Sequence, residues 1–109
     1  MTKIVDARAR GTSIDAEVDE TVLVRLDETP TTGYRWAIEH VDDQVLQAEG
    51  SEFQLPAGAA VGGAGQRTYV FKARNPGSGG IRLKLWREWE GAGSVLDQFE
   101  ISVRVKRRG

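Results

Sequence analysis

The stretch Phe99-Glu100-Ile101-Ser102-Val103-Arg104-Val105-Lys106 decides the fold class. Apolar residues hold every odd position, and polar or charged residues hold every even one. Side chains on a β-strand point alternately to opposite faces, so this period gives one face to a core and the other to water. The alternation recurs upstream. Val22, Val24 and Leu26 alternate with Leu23, Arg25 and Asp27, and Tyr34, Trp36 and Ile38 alternate with Arg35, Ala37 and Glu39. Tyr69, Phe71 and Ala73 do the same with Thr68, Val70 and Lys72, as do Ile81, Leu83 and Leu85 with Arg82, Lys84 and Trp86. Ile4 with its neighbours and the run Thr12 to Val18 bring the expected total to seven or eight short strands. No window repeats apolar residues at helical spacing over a helical length, and Val41 to Ala48 has room for only a single helical turn.

Turn residues punctuate these runs at Gly11, Asp19-Glu20, Pro30 to Gly33, Pro56 to Gly65, Asn75 to Gly80 and Gly91 to Ser94. Many short strands with spaced turns predict an all-β sandwich, two sheets burying their apolar faces against each other. A chain of 109 residues is the length of one domain, so residues 1–109 are read as one. With 39% hydrophobic and 28% charged residues, the chain has the balance of a soluble globular protein.

Composition excludes several functions. Fifteen Lys and Arg against sixteen Asp and Glu provide no basic surplus for nucleic acid. The absence of cysteine removes disulfides, thiolate metal sites and thiol nucleophiles. The single histidine, His40, cannot assemble a multi-histidine metal site and reads as a surface residue. Glu88 and Glu90 lie in a turn without a deep cleft, which is weak support for a hydrolytic carboxylate pair. Neither an enzyme nor a cofactor or metal protein is expected. Charges recur too often for a membrane span, and the Lys106-Arg107-Arg108 end reads as a solvated tail. The first residues carry no apolar signal region, so a cytoplasmic location is expected, or a periplasmic or secreted one if a leader is removed.

Three loops carry the remaining information. The first is Thr29-Pro30-Thr31-Thr32-Gly33-Tyr34, in which Pro30 fixes φ, Gly33 permits a turn and two β-branched threonines have few rotamers. The second is Gly62-Gly63-Ala64-Gly65, nearly free of side chains just before a strand. It lacks the third glycine and the crossover helix of a dinucleotide loop, and a plain flexible connector is the competing reading. The third is Trp86-Arg87-Glu88-Trp89-Glu90-Gly91, where one strand ends and the chain turns toward the last.

In order and spacing these loops resemble the chagasin-type inhibitors of papain-like cysteine proteases. That family carries N-P-T-T-G-[YF] followed two residues on by Trp, then G-x-G-G before a strand, then R-P-W near the last strand. Here they stand as T-P-T-T-G-Y with Trp36, as Gly62-Gly63-Ala64-Gly65 and as Arg87-Glu88-Trp89. Thr29 replaces the Asn, the alanine of the glycine loop is shifted by one place, and Glu88 replaces the Pro.

The resemblance implies an immunoglobulin-like β-sandwich of seven to eight antiparallel strands with the three loops along one edge. It further implies that Thr29, Pro30, Thr31, Thr32, Gly33 and Tyr34 enter the middle of a protease cleft. Gly62, Gly63, Ala64 and Gly65 would clasp the cleft from one side, and Arg87 and Trp89 from the other. Inhibition would be reversible, competitive and non-covalent, of an endogenous or foreign papain-like protease. A monomer is expected, because Arg and Lys recur on the strands.

Residue by residue, other readings stand beside this one. Trp36 shares a face with Tyr34 and Ile38 and reads as core. Trp86 either covers its sheet under long side chains or approaches the loop edge. Trp89 is exposed or packs in its own turn, Arg87 can hold Glu90, and the Tyr34 hydroxyl can be a buried one bonded to backbone. An interaction or carbohydrate-binding module, with Trp89 and Tyr34 stacking on a sugar, is the alternative function.

Overall fold

The computed structural model describes residues 2–55 and 64–108. Among these residues eight strands form two four-stranded sheets. They are β1 (Thr2–Val5), β2 (Ser13–Glu17), β3 (Thr21–Glu28), β4 (Arg35–Val41), β5 (Leu46–Gln54), β6 (Gly65–Ala73), β7 (Gly77–Trp86) and β8 (Asp97–Lys106). One sheet has the order β1-β3-β6-β5 and the other β2-β8-β7-β4. The alternation read from the sequence is the one that folds. Val22, Val24, Phe71, Ala73, Ile81, Leu83, Phe99, Ile101 and Val103 all lie in the core between the sheets, essentially without exposure, and Trp36 joins them. Burying the Val, Ile, Leu and Phe side chains among these stabilises by about 1.5–3 kcal/mol each relative to exposing them.

The strand directions require one correction to an all-antiparallel sandwich. β1 runs parallel to β3, with Ile4 opposite Leu23, and β2 runs parallel to β8, with Ile14 opposite Val103. The reason is the path of the chain. From β1 it crosses to the other sheet for β2 and then returns for β3, so two reversals bring β3 back to the direction of β1. The remaining pairings are antiparallel.

Two segments differ from the sequence expectation. Leu46–Gln54 form edge strand β5, whereas the sequence pattern leaves Val41 to Ala48 room for a single helical turn and assigns residues 49–54 to no strand. Only Leu46 of its residues is buried, so the strand shows no period of two. Gly77 to Gly80, read as turn, already belongs to β7. A Cβ on Gly79 would stand 3.1 Å from the Cβ atoms of both Asp42 and Val45, because the 42–45 turn packs directly on that strand.

Topology also gathers the loops. β3 and β5 both run antiparallel to β6, so Glu28, Gln54 and Gly65 share one end of their sheet. In the other sheet Arg35, Trp86 and Asp97 share an end, and the short 29–34 connection joins that end to Glu28.

Tyr69 links the sheets across the core, its hydroxyl donating to the Trp36 carbonyl oxygen at 2.8 Å. Burial holds this hydroxyl above its ordinary value of about 10. A proton held more tightly in the folded state stabilises fully below the unfolded value and ceases to do so as pH rises through the folded one. Tyr69→Phe is therefore expected to cost about 1 kcal/mol at neutral pH. It should also flatten the loss of stability above about pH 10, both read from urea unfolding midpoints across pH.

Candidate functional site

The first loop is a single 3-10 turn, Pro30–Thr32, with proline at its start and Gly33 closing it in the left-handed region at φ 79°. Its hydrogen bonds are local. The Thr32 N–H and Oγ1 both donate to the Thr29 carbonyl, at 3.1 and 2.7 Å, and the Gly33 N–H donates to the Pro30 carbonyl at 3.0 Å. The Thr32 hydroxyl in turn accepts from the Tyr34 N–H at 3.2 Å. Thr29 makes no side-chain capping bond, so the turn is shaped from its C-terminal side by Thr32.

Below the loop lies a buried ion pair absent from the sequence reading. Glu28 continues the inward phase of Val22, Val24 and Leu26, so its carboxylate enters the sandwich at the loop end. Arg67 on β6 meets it at 2.9 Å, and the Trp36 N–H on β4 donates to its other oxygen at 2.8 Å. The Trp36 indole N–H donates to the Asp27 carbonyl at 2.9 Å. The Arg67 guanidinium also lies over the Phe53 ring, 5.4 Å from its centre. Three strands from two sheets are thus tied where the first loop leaves and returns.

The third loop is locked to the first by Arg87. Its Nη2 and Nε donate to the Thr32 carbonyl at 2.9 and 3.2 Å, and its Nη1 pairs with Glu90 at 3.0 Å. The guanidinium stacks over Tyr34, 4.3 Å from the ring centre. The Arg87–Glu90 pair, one of the two readings of Arg87, is present, and Arg87 has a second partner across the loops. Tyr69 provides a half-buried hydroxyl bonded to backbone, while the Tyr34 ring lies under the Arg87 guanidinium. Ser94 closes the third loop, accepting from the Arg87 N–H at 3.0 Å while its own hydroxyl lies within bonding distance of the Arg87 and Gly91 carbonyls.

Trp89 is 72% exposed, and what it touches is the first loop. A Cβ on Gly33 would lie 2.7 Å from Cη2 of Trp89, so the indole edge rests where only glycine leaves room. Trp86 faces outward, half-buried, with the Lys84 ammonium 3.6 Å from its ring centre. Both sequence readings of that tryptophan therefore hold: it covers the sheet, and it reaches the groove beside the loops.

Of the second loop, Ala64 is exposed and Gly65 is buried, while Gly62 and Gly63 lie outside the described residues. Gly65 pairs with Glu28 in the β3–β6 ladder, one residue from Thr29. A Cβ there would meet the Gln54 carbonyl at 2.5 Å and the Phe53 ring at 2.6 Å. The first and third loops and the start of β6 consequently adjoin along one edge. They border a groove of about 740 Å³ lined by Pro30, Tyr34, Phe53, Trp86 and Trp89 among others.

Four large apolar side chains are exposed among the described residues: Ile4, Leu55, Trp89 and Leu96. Three of them sit at this end, and Leu55 and Leu96 went unnoticed in the sequence because each falls outside a motif. Among the described residues no three His, Asp or Glu side chains gather to hold a metal ion.

Residues 15–103 match the family described as chagasin family peptidase inhibitor I42. The chain belongs to the chagasin family. Its fold is that of the cysteine protease inhibitor EhICP2 from Entamoeba histolytica, with TM-score 0.84 at 21% identity over 96% of both chains. Amebosin is similar at TM-score 0.79 and 22% identity, over 95% of this chain and 98% of that one. PbICP-C, solved in complex with falcipain-2, gives TM-score 0.68 at 14% identity over 97% of this chain and 90% of that one. No curated protein matches in sequence. Membership places the chain among peptidase inhibitors rather than enzymes.

Two substitutions test this chagasin-family edge. Glu28→Gln keeps the shape but leaves the Arg67 charge buried without its counter-ion, which should cost about 3–5 kcal/mol in urea unfolding. Gly33→Ala must hold a β-carbon in the left-handed region, at about 1–2 kcal/mol, and must displace the indole. The Trp89 Nε1–H resonance should shift in that variant while the Trp36 resonance stays in place.

Proposed function

We propose that this protein is a reversible, competitive, non-covalent inhibitor of papain-like cysteine proteases. Residues 29–34 enter the middle of the cleft, with residues 62–65 and 86–91 on either side. The observation that carries the reading is the Arg87 bridge. It fixes the Thr32 carbonyl, the Tyr34 ring and its own turn as one body before any partner arrives. A loop ordered in advance loses little entropy on binding, so an apolar edge of modest size can bind tightly.

The chemistry of the edge agrees. Thr31, Thr32 and Gly33 form a narrow tip without long side chains, suited to a cleft that takes an extended peptide. Trp89, with Leu55 and Leu96 at the same end, offers the large apolar surface that anchors interfaces. Neither a nucleophile nor a metal is needed, since occupying the cleft suffices. Sugar stacking fits less well. The Arg87 guanidinium lies over the Tyr34 ring, and the Trp89 edge abuts Gly33, so the two rings do not form an open platform.

Steady-state inhibition of papain and of a cathepsin L-like enzyme tests the reading, with dose-dependent competitive inhibition expected at submicromolar concentration. The double variant Thr31→Arg with Thr32→Arg, which forces two cations into the cleft, should raise the inhibition constant about 100-fold or more, or about 2.7 kcal/mol. Undiminished inhibition by that folded variant would show that the first loop is not the inserted element.

A further inference from the structure

The outward face of the β2-β8-β7-β4 sheet neutralises most of its cations in pairs. Arg82 holds Glu100 at 2.7 Å with Glu39 at 3.9 Å, and Arg104 and Lys106 reach Asp15 at 3.2 and 3.8 Å. Arg35 and Lys84 break the pattern, since neither has a carboxylate partner among the described residues. They are neighbours at the loop end of the sheet. Arg35 stands directly opposite Trp86, and Lys84 opposite Ala37, on adjacent strands β4 and β7. Trp36, Leu83 and the half-buried Leu85 take the inward positions, so Arg35, Lys84 and Trp86 share the outer face. Lys84 lies over the Trp86 ring, and Arg35 and Trp86 line the groove that begins at the loops. Glu88 lines the same groove and has no ion pair among the described residues, while Lys84 stands on the sheet face beside the groove rather than in its lining.

We infer that this corner is a second contact for the bound protease, one that selects papain-like enzymes carrying carboxylates beside the active-site cleft. The inference rests on the inhibitor reading above. Continuity supports it: Arg35 directly follows the first loop, and Trp86 opens the third. A body seated on both loops brings its flank to this corner. An arginine on the strand beside an indole, with an ammonium over the indole ring, provides charge-assisted donors and a flat apolar surface together. Charges at the rim of an interface act chiefly on the rate of encounter, and their effect fades with salt.

The experiment uses two papain-like proteases, one of acidic and one of basic isoelectric point, and the double variant Arg35→Gln with Lys84→Gln. Both positions are polar and on the outer face, so the fold is retained, and Arg82→Gln serves as a paired-cation control. The double variant should lose about tenfold in association rate toward the acidic protease at low ionic strength, with the difference vanishing at about 0.5 M salt. Toward the basic protease its rate should be unchanged or higher, and the control should follow the wild type with both. Equal behaviour of wild type and double variant toward the acidic protease would overturn the selective corner while leaving the loops as the inhibitory element. Failure of the wild type to inhibit either protease would overturn the inhibitor reading, and the corner's role with it.

Discussion

Glu28 ends β3 with its carboxylate turned into the sandwich, and a charge withdrawn from water costs several kcal/mol unless other groups replace that water. The replacements come from three directions: the guanidinium of Arg67 on β6, the backbone N–H of Trp36 on β4 and, behind Arg67, the ring of Phe53 on β5. Such a pair adds little net stability over a well-packed apolar substitute, but its geometry is exacting. Glu28 is satisfied only when β4 returns to the opposite sheet with Trp36 beside it. The connection from Thr29 to Tyr34 must therefore cross the end of the sandwich at that place. The buried pair sets both ends of the loop, and the loop's own hydrogen bonds set its tip.

The locking of the edge compensates for two departures from the family pattern. Thr29 provides no side-chain cap where the family carries Asn, and Thr32 instead ties the turn from the other side. Glu88 stands where the family carries Pro, so φ is not fixed by a ring at that position. The turn nevertheless closes, with the Glu90 N–H on the Arg87 carbonyl at 3.0 Å and the Ser94 hydroxyl bridging its two ends. Hydrogen bonds here take over what a proline does by covalent constraint.

The sheets were legible in the sequence because burial and periodicity are the same fact for β3, β6, β7 and β8. β5 was not, because an edge strand with one buried residue has no reason to alternate. Strand direction was also hidden. Whether β1 and β2 lie parallel to their partners depends on how often the chain changes sheets, which local pattern does not encode. At the site, the threonine loop and the Arg-Trp turn were legible as motifs, but their mutual contact was not. That contact needs the Gly33 backbone and the Trp89 ring in one place, 56 positions apart in the chain. Glu28 carried a signal, since the phase of Val22, Val24 and Leu26 puts a carboxylate on the apolar face. Arg67 completes the same phase from β6, opposite Leu26.

Two features of the edge divide the work of binding. Most charge at the tip and beside it is already engaged, Arg87 with Glu90 and Thr32 and Arg67 with Glu28, which leaves Glu88 as the unpaired charge there among the described residues. A surface of this kind holds a partner by excluded water and shape, and it discriminates poorly among clefts of one shape. Discrimination has to come from charge that is still free to meet a partner. On the adjoining sheet face that charge stands at Arg35 and Lys84, held by two neighbouring strands rather than by a loop. Rigid placement matters there, since an ordered donor loses less entropy on pairing than one on a mobile loop. In the binding mode proposed above, affinity resides in the locked loops and selectivity in outward strand positions, which can change without disturbing the core.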